Sequence, residues 1–245
     1  MTFKNILEHS VNAYLNNIKL ISIFAIPLII TLPLSLSLPN FISLGGVFLR
    51  FGSIGHDFTT FDLIITGIAF LISLLVISFA LVAINMLVKS QRSMVKPSYY
   101  DIEKIWQNTL NLFIVFLIAF LIILGFNIAL YDYGLNQSLG LIISLLVSII
   151  IIFAPQAIVI DGLDVKHIFI MSVSTVAKKF WYFIGFLVIA SLLMMLNSAL
   201  FISLLPSLSD AMLGNYLAVI VNAMIIIPFL EVFKIQIYLS KYSIL

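Results

Sequence analysis

Six apolar runs, at roughly 18–38, 62–88, 109–130, 139–160, 180–205 and 214–239, leave this chain few folds to choose from. A bilayer core of ~30 Å takes about 20 helical residues, and each run approaches or exceeds that length. The connections between the runs are too short to hold a soluble domain, so residues 1–245 read as a single polytopic membrane domain. Charge agrees with this: only 9% of residues are charged, against roughly 25% in soluble domains. A water-facing surface cannot be built from that supply. The predicted class is an all-α integral membrane protein, with six transmembrane helices plus amphipathic cytoplasmic interfacial helices. No cleavable signal is apparent before the first run, so the N-terminus is expected to remain. Pro27, Pro33 and Pro39 predict a kink or an early end in the first span, and Pro228 a break in the sixth.

Orientation follows from the basic residues in short connections. Lys4, Lys19, Lys89, Arg92, Lys96, Lys104, Lys166, Lys178, Lys179, Lys234 and Lys241 fall on one side, and Arg50 alone on the other. Both termini are therefore expected in the cytoplasm, in a multi-pass protein of the cell membrane.

The connections on the basic side resemble one another. Residues 2–17 carry Phe3, Ile6, Leu7, Val11 and Tyr14 at helical spacing, with Lys4, Glu8, His9 and Asn12 opposite. Thr2 can cap this helix, which is expected to lie flat where headgroups meet acyl chains. Residues 3–20 align without gaps on 165–182, matching Lys4 with Lys166, Ile6 with Ile168, Ser10 with Ser172 and Val11 with Val173. A briefer segment at 97–113 is read the same way, giving three copies of surface helix plus hairpin.

A polar side chain inside a span is costly and is a candidate site by default. Glu231 and Lys234 stand three apart on the sixth span and could pair. A proton or substrate relay is one reading. The favoured one is a snorkelling pair near the cytoplasmic interface, because Lys241 and the C-terminus lie close by. Asn85 and Gln156 fall near the inner ends of their spans, and Asn127, Asn197 and Asn222 in the outer halves. Interhelical hydrogen bonding is the expected role of most of these five, and no midplane transport site is evident. Ser144 and Ser148 make one small-residue packing pair.

Lys166, Lys178, Lys179 and Trp181, with Lys89, Arg92, Trp106, Tyr99, Tyr100 and Tyr182, form a basic and aromatic inner face suited to anionic lipid headgroups. The connection 40–61 carries Gly45, Gly46, His56 and Asp57 and reads as a flexible glycine-rich loop, with too few ligands for a metal centre. His9 and His167 read as exposed histidines at the headgroup boundary. No cysteine is present, which excludes disulfides and cysteine catalysis. Phosphate-binding glycine loops, HExxH and GxSxG are also absent. No catalytic residue, cofactor or metal is expected, and a net charge of +2 gives no footprint for nucleic acid.

The pattern Val159, Asp161, Gly162, Ser172, Lys178, Phe180 and Trp181 resembles a prokaryotic group of six-span membrane proteins. That group includes the membrane domain of some glycerophosphodiester phosphodiesterases and their stand-alone relatives. The resemblance runs over about thirty residues and implies a fold rather than a chemistry, since the phosphodiesterase domain is not present. The expected function is non-enzymatic: a membrane-organising, lipid-interacting or assembly factor. The alternative is the membrane subunit of a transporter, such as an ATP-driven exporter, with residues 92–106 against its ATPase. Partners would be the bilayer, anionic headgroups, a second copy or another membrane protein.

Overall fold

The computed structural model describes residues 2–36, 41–44, 47–50, 60–92, 99–135, 138–203 and 211–240. Among the described residues the regular structure is helical apart from one hairpin, β1 (Phe41–Leu44) antiparallel to β2 (Val47–Arg50), which stands where a flexible loop was expected. Leu44 pairs with Val47 at the closed end of the hairpin, and Gly45 and Gly46 lie outside the described residues. His56, Asp57, Pro39 and Lys241 lie outside the described residues.

Among the described residues five helices are long and apolar enough to cross a membrane, and a sixth span is counted when the first two helices are taken together as one bent span. Those two are α1 (Phe3–Asn16) and α2 (Ile18–Leu36), bent by 85°. The bend has a local cause. Asn17 ends α1, donating its amide nitrogen Nδ2 to the Ala13 carbonyl and its backbone N–H to that of Tyr14. Thr2 caps the start, accepting from the Asn5 backbone N–H at 3.4 Å. Pro27 and Pro33 fall within continuous α2.

The second and third spans are single helices, α3 (Thr60–Arg92) and α4 (Tyr99–Tyr131). The separate surface helix expected at 97–113 is not formed. From Tyr99 onward that segment runs straight into the third span, because no helix-breaking residue separates them. The fourth span is α5 (Leu139–Ile151) followed by α6 (Ala154–Asp161). Pro155 explains the interruption: its ring collides with the carbonyl four residues back, that of Ile151, where α5 stops. Gly162 ends α6 at φ +65°, a conformation open to glycine at little cost.

α7 (Val165–Lys178) and α8 (Phe180–Ser203) follow. The last span is α9 (Ala211–Val221), a π-helical turn (Asn222–Ile226) and α10 (Ile227–Leu239). The irregularity sits just before Pro228 rather than at it, since a widened turn spares the proline ring its clash with the carbonyl of Met224.

α1 and α7 share one end of the bundle, where the Phe3 ring stacks on Tyr182 at 6.3 Å. All four matched pairs of the two helices share an environment. Ile6 and Ile168 are buried, as are Ser10 and Ser172; Lys4 and Lys166 are exposed, as are Val11 and Val173. The bundle core is apolar, with Leu81, Phe116, Phe153 and Phe233 fully buried. Its outside is apolar too: Leu192, Met195 and Leu196 of α8 and Leu141 and Leu145 of α5 are exposed. An exposed apolar surface of this extent suits lipid rather than water, and the protein is a multi-pass membrane protein.

α1 meets α8 at Gly185, where a Cβ would stand 2.5 Å from Phe3 Cε2. Gly185→Val should therefore lift α1 from the bundle, raising amide exchange along Phe3–Asn16 about tenfold, the equivalent of ~1.4 kcal/mol.

Candidate functional site

The innermost polar feature grows from the interruption of the fourth span. Two backbone groups lose their helical partners there, and two side chains from other helices replace them. The Phe153 N–H donates to Ser172 Oγ of α7 at 3.1 Å, and Lys234 Nζ of α10 donates to the Ile152 carbonyl at 3.2 Å. Hydrocarbon offers no water for either group, so substitutes must come from protein.

Lys234 is in turn held by Glu231 one turn earlier, Nζ to Oε1 at 2.5 Å. The other carboxylate oxygen, Oε2, accepts from Gln156 Nε2 of α6 at 3.0 Å and from Asn85 Nδ2 of α3 at 3.3 Å. Asn85 and Gln156 are 0% exposed, and Glu231 and Lys234 1%. Four of the seven polar in-span positions singled out from the sequence, Asn85, Gln156, Glu231 and Lys234, thus meet at one point. The second helix of each hairpin contributes: Asn85 from α3, Gln156 from α6, and Glu231 with Lys234 from α10.

This overturns the snorkelling reading of the Glu231–Lys234 pair. A snorkelling lysine reaches the headgroups, whereas Lys234 is enclosed by the bundle and bonded inward. Depth along the span still matters. Asn85 and Gln156 lie five residues, and Glu231 eight, from the ends of their spans at Ser90, Asp161 and Leu239. At 1.5 Å per residue that is roughly 8–12 Å, short of the midplane.

Asn222 and Asn197 belong to a separate contact. Asn197 Nδ2 donates to Asn222 Oδ1 at 2.9 Å and to the Ala218 carbonyl at 2.7 Å. It bridges α8 to the last span just where that span widens into its π-helical turn. Interhelical bonding, the role expected from the sequence, is thus seen for Asn85, Gln156, Asn197 and Asn222. Asn127 bonds the Ile123 carbonyl of its own helix.

A second polar layer closes the α1/α7 end. Lys89 Nζ donates to the Val159 carbonyl at 2.6 Å and the Ile160 carbonyl at 3.3 Å, where a cation meets the last carbonyls of α6. Tyr238 donates its hydroxyl to Asp161 Oδ2 at 2.6 Å. Lys179 turns inward, reaching the Ser240 carbonyl at 3.4 Å and standing 5.5 Å from the Tyr182 ring centre. Of the expected headgroup contacts, Lys89 and Lys179 therefore have bonds within the protein, while Lys166, Lys178 and Trp181 are exposed, Trp181 by 80%. Trp106, His9 and His167 are exposed as well.

α7 buries Ile168, Ser172 and Thr175 and exposes Ile170 and Val173. Both faces thus have apolar members: one meets the bundle, the other the surroundings. On α1, Tyr14 is buried with its hydroxyl unpartnered, and burial raises its pKa above the usual phenol value. Sequence reasoning missed Ser172, Lys89, Asp161 and Tyr238 as bonding partners. The usable signal was Pro155, which announces freed backbone groups without saying what satisfies them.

Breaking a buried ion pair leaves an uncompensated charge, at a cost of about 3–5 kcal/mol. Glu231→Met and Lys234→Met should each lower thermal stability by that order in detergent melting experiments. The double substitution should cost less than the two single ones added together.

Comparison with known proteins returned no relative: no family model, no curated protein and no solved structure matches this chain.

Proposed function

We propose that this is a non-enzymatic component of the cell membrane that engages anionic lipid through the end of the bundle bearing α1 and α7. Both termini lie in the cytoplasm in this reading, and α1 and α7 are two copies of one surface helix, each leading into a membrane hairpin, while among the described residues the middle hairpin lacks a separate one. The observation that carries it is the outward face of α7, where Ile170 and Val173 are exposed beside Lys166 and Lys178, with Trp181 exposed at the start of α8. Apolar side chains enter the acyl boundary and ammonium groups meet phosphate, each lysine adding about 1 kcal/mol near an anionic surface. The common environments of the four matched pairs on α1 and α7 support the repeat.

Lys166→Gln with Lys178→Gln should reduce retention of phosphatidylglycerol by roughly tenfold, read by native mass spectrometry of the full chain released from nanodiscs. Unchanged retention would sink the lipid reading. Topology has its own test. The chain has no cysteine, so a single His167→Cys substitution is a unique reporter. An impermeant maleimide should label it in inverted vesicles and not in intact cells.

The second reading, a transporter subunit, is favoured by a different observation: a charged pair enclosed in the last span beside an interruption in the fourth. Interrupted helices with buried ionisable groups are the usual material of transport sites. A pull-down from the source host that brings down no ATPase would count against the exporter form of this reading.

A further inference from the structure

We infer that the Asn85–Gln156–Glu231 cluster is a binding site for a monovalent alkali cation, with the Lys234 ammonium as its tethered competitor. The inference goes beyond the lipid reading and is independent of it. It deepens the transport reading by naming what the buried carboxylate takes.

Two acceptor atoms of the cluster, Asn85 Oδ1 and Gln156 Oε1, are buried without a hydrogen-bond partner. Their identity as oxygens is fixed by their surroundings. Asn85 Nδ2 lies between two acceptors, the Leu81 carbonyl at 2.8 Å and Glu231 Oε2 at 3.3 Å. Reversing the amide would set oxygen against oxygen at both contacts. An orphaned buried acceptor costs about 1–3 kcal/mol, and here two of them belong to amides that share one carboxylate oxygen.

The rest of the cluster already holds a cation. Glu231 Oε1 and the Ile152 carbonyl together receive the Lys234 ammonium. The available donors are all oxygens, from one carboxylate, two amides and one backbone carbonyl, which suits a hard cation. Charge chooses the valence. A single carboxylate balances a single positive charge, and the excess charge of a divalent ion would be costly in this setting. Lys234 and a free cation then compete for Glu231 Oε1 and the Ile152 carbonyl.

The test uses the full chain in nanodiscs of zwitterionic lipid, so that anionic headgroups play no part. Melting is compared in sodium, potassium or rubidium chloride and in N-methyl-D-glucamine chloride at equal ionic strength. An alkali cation should raise the melting temperature of K234M by about 4 °C or more, raise that of the parent protein less, and leave E231Q unmoved. Equal melting of K234M in alkali and glucamine salts overturns the inference, as does an equal shift in E231Q. Should K234M fail to fold, K234Q keeps a donor for the Ile152 carbonyl. Saturable rubidium binding to K234Q, weakened about tenfold by adding Asn85→Leu, supports the site, and its absence overturns it. Cation binding without flux in proteoliposomes would remove the transport reading alone.

Discussion

A carboxylate cannot stand alone inside a membrane protein, and much of this bundle is arranged around satisfying one. Glu231 takes an ammonium on one oxygen and two amide donors on the other, supplied by three different helices. Each partner carries a packing requirement with it. α3 must approach closely enough for Asn85 to reach, α6 must present Gln156, and Lys234 must lie along the interruption of the fourth span. Ser172 ties α7 to that same interruption. One chain of polar contacts thus runs from a helix at the end of the bundle, through freed backbone, to the charged pair.

The same three helices are joined again nearer that end, by Lys89 on the terminal carbonyls of α6 and by Tyr238 on Asp161. Two layers of attachment along parallel helices resist sliding and rotation in a way one layer cannot. α8 is fastened differently. It is the least buried of the five long spans, and Asn197 hydrogen-bonds it to the last span. A firm α3–α6–α10 unit beside a lightly attached α8 is the mechanical outline of the molecule.

The sequence carried the membrane class, because hydrophobicity over twenty residues is a one-dimensional property. It also carried α1 closely, expected over 2–17 with Thr2 as its cap and found over Phe3–Asn16. Two things were not readable. The segment at 97–113 had the pattern of a surface helix, yet with no breaker after Pro97 it runs on into the third span. The enclosure and inward bonding of Glu231 and Lys234 were the other, because nearness to Lys241 along the chain suggested a pair reaching the interface. What decided them was the arrival of Gln156 and Asn85 from 75 and 146 residues away. Periodicity states which residues share a face; it does not state which faces meet.

The π-helical turn at Asn222–Ile226 acquires its meaning from this arrangement. Such a turn holds one residue more than an α-helical turn, and each residue of an α-helix advances the direction of its side chain by roughly 100°. The turn therefore sets the angular phase of everything after it in the last span. Without the extra residue, Glu231 would point about a quarter of the way round the helix from Asn85 and Gln156. A single residue's worth of slack, bridged by Asn197, is what aims the charge.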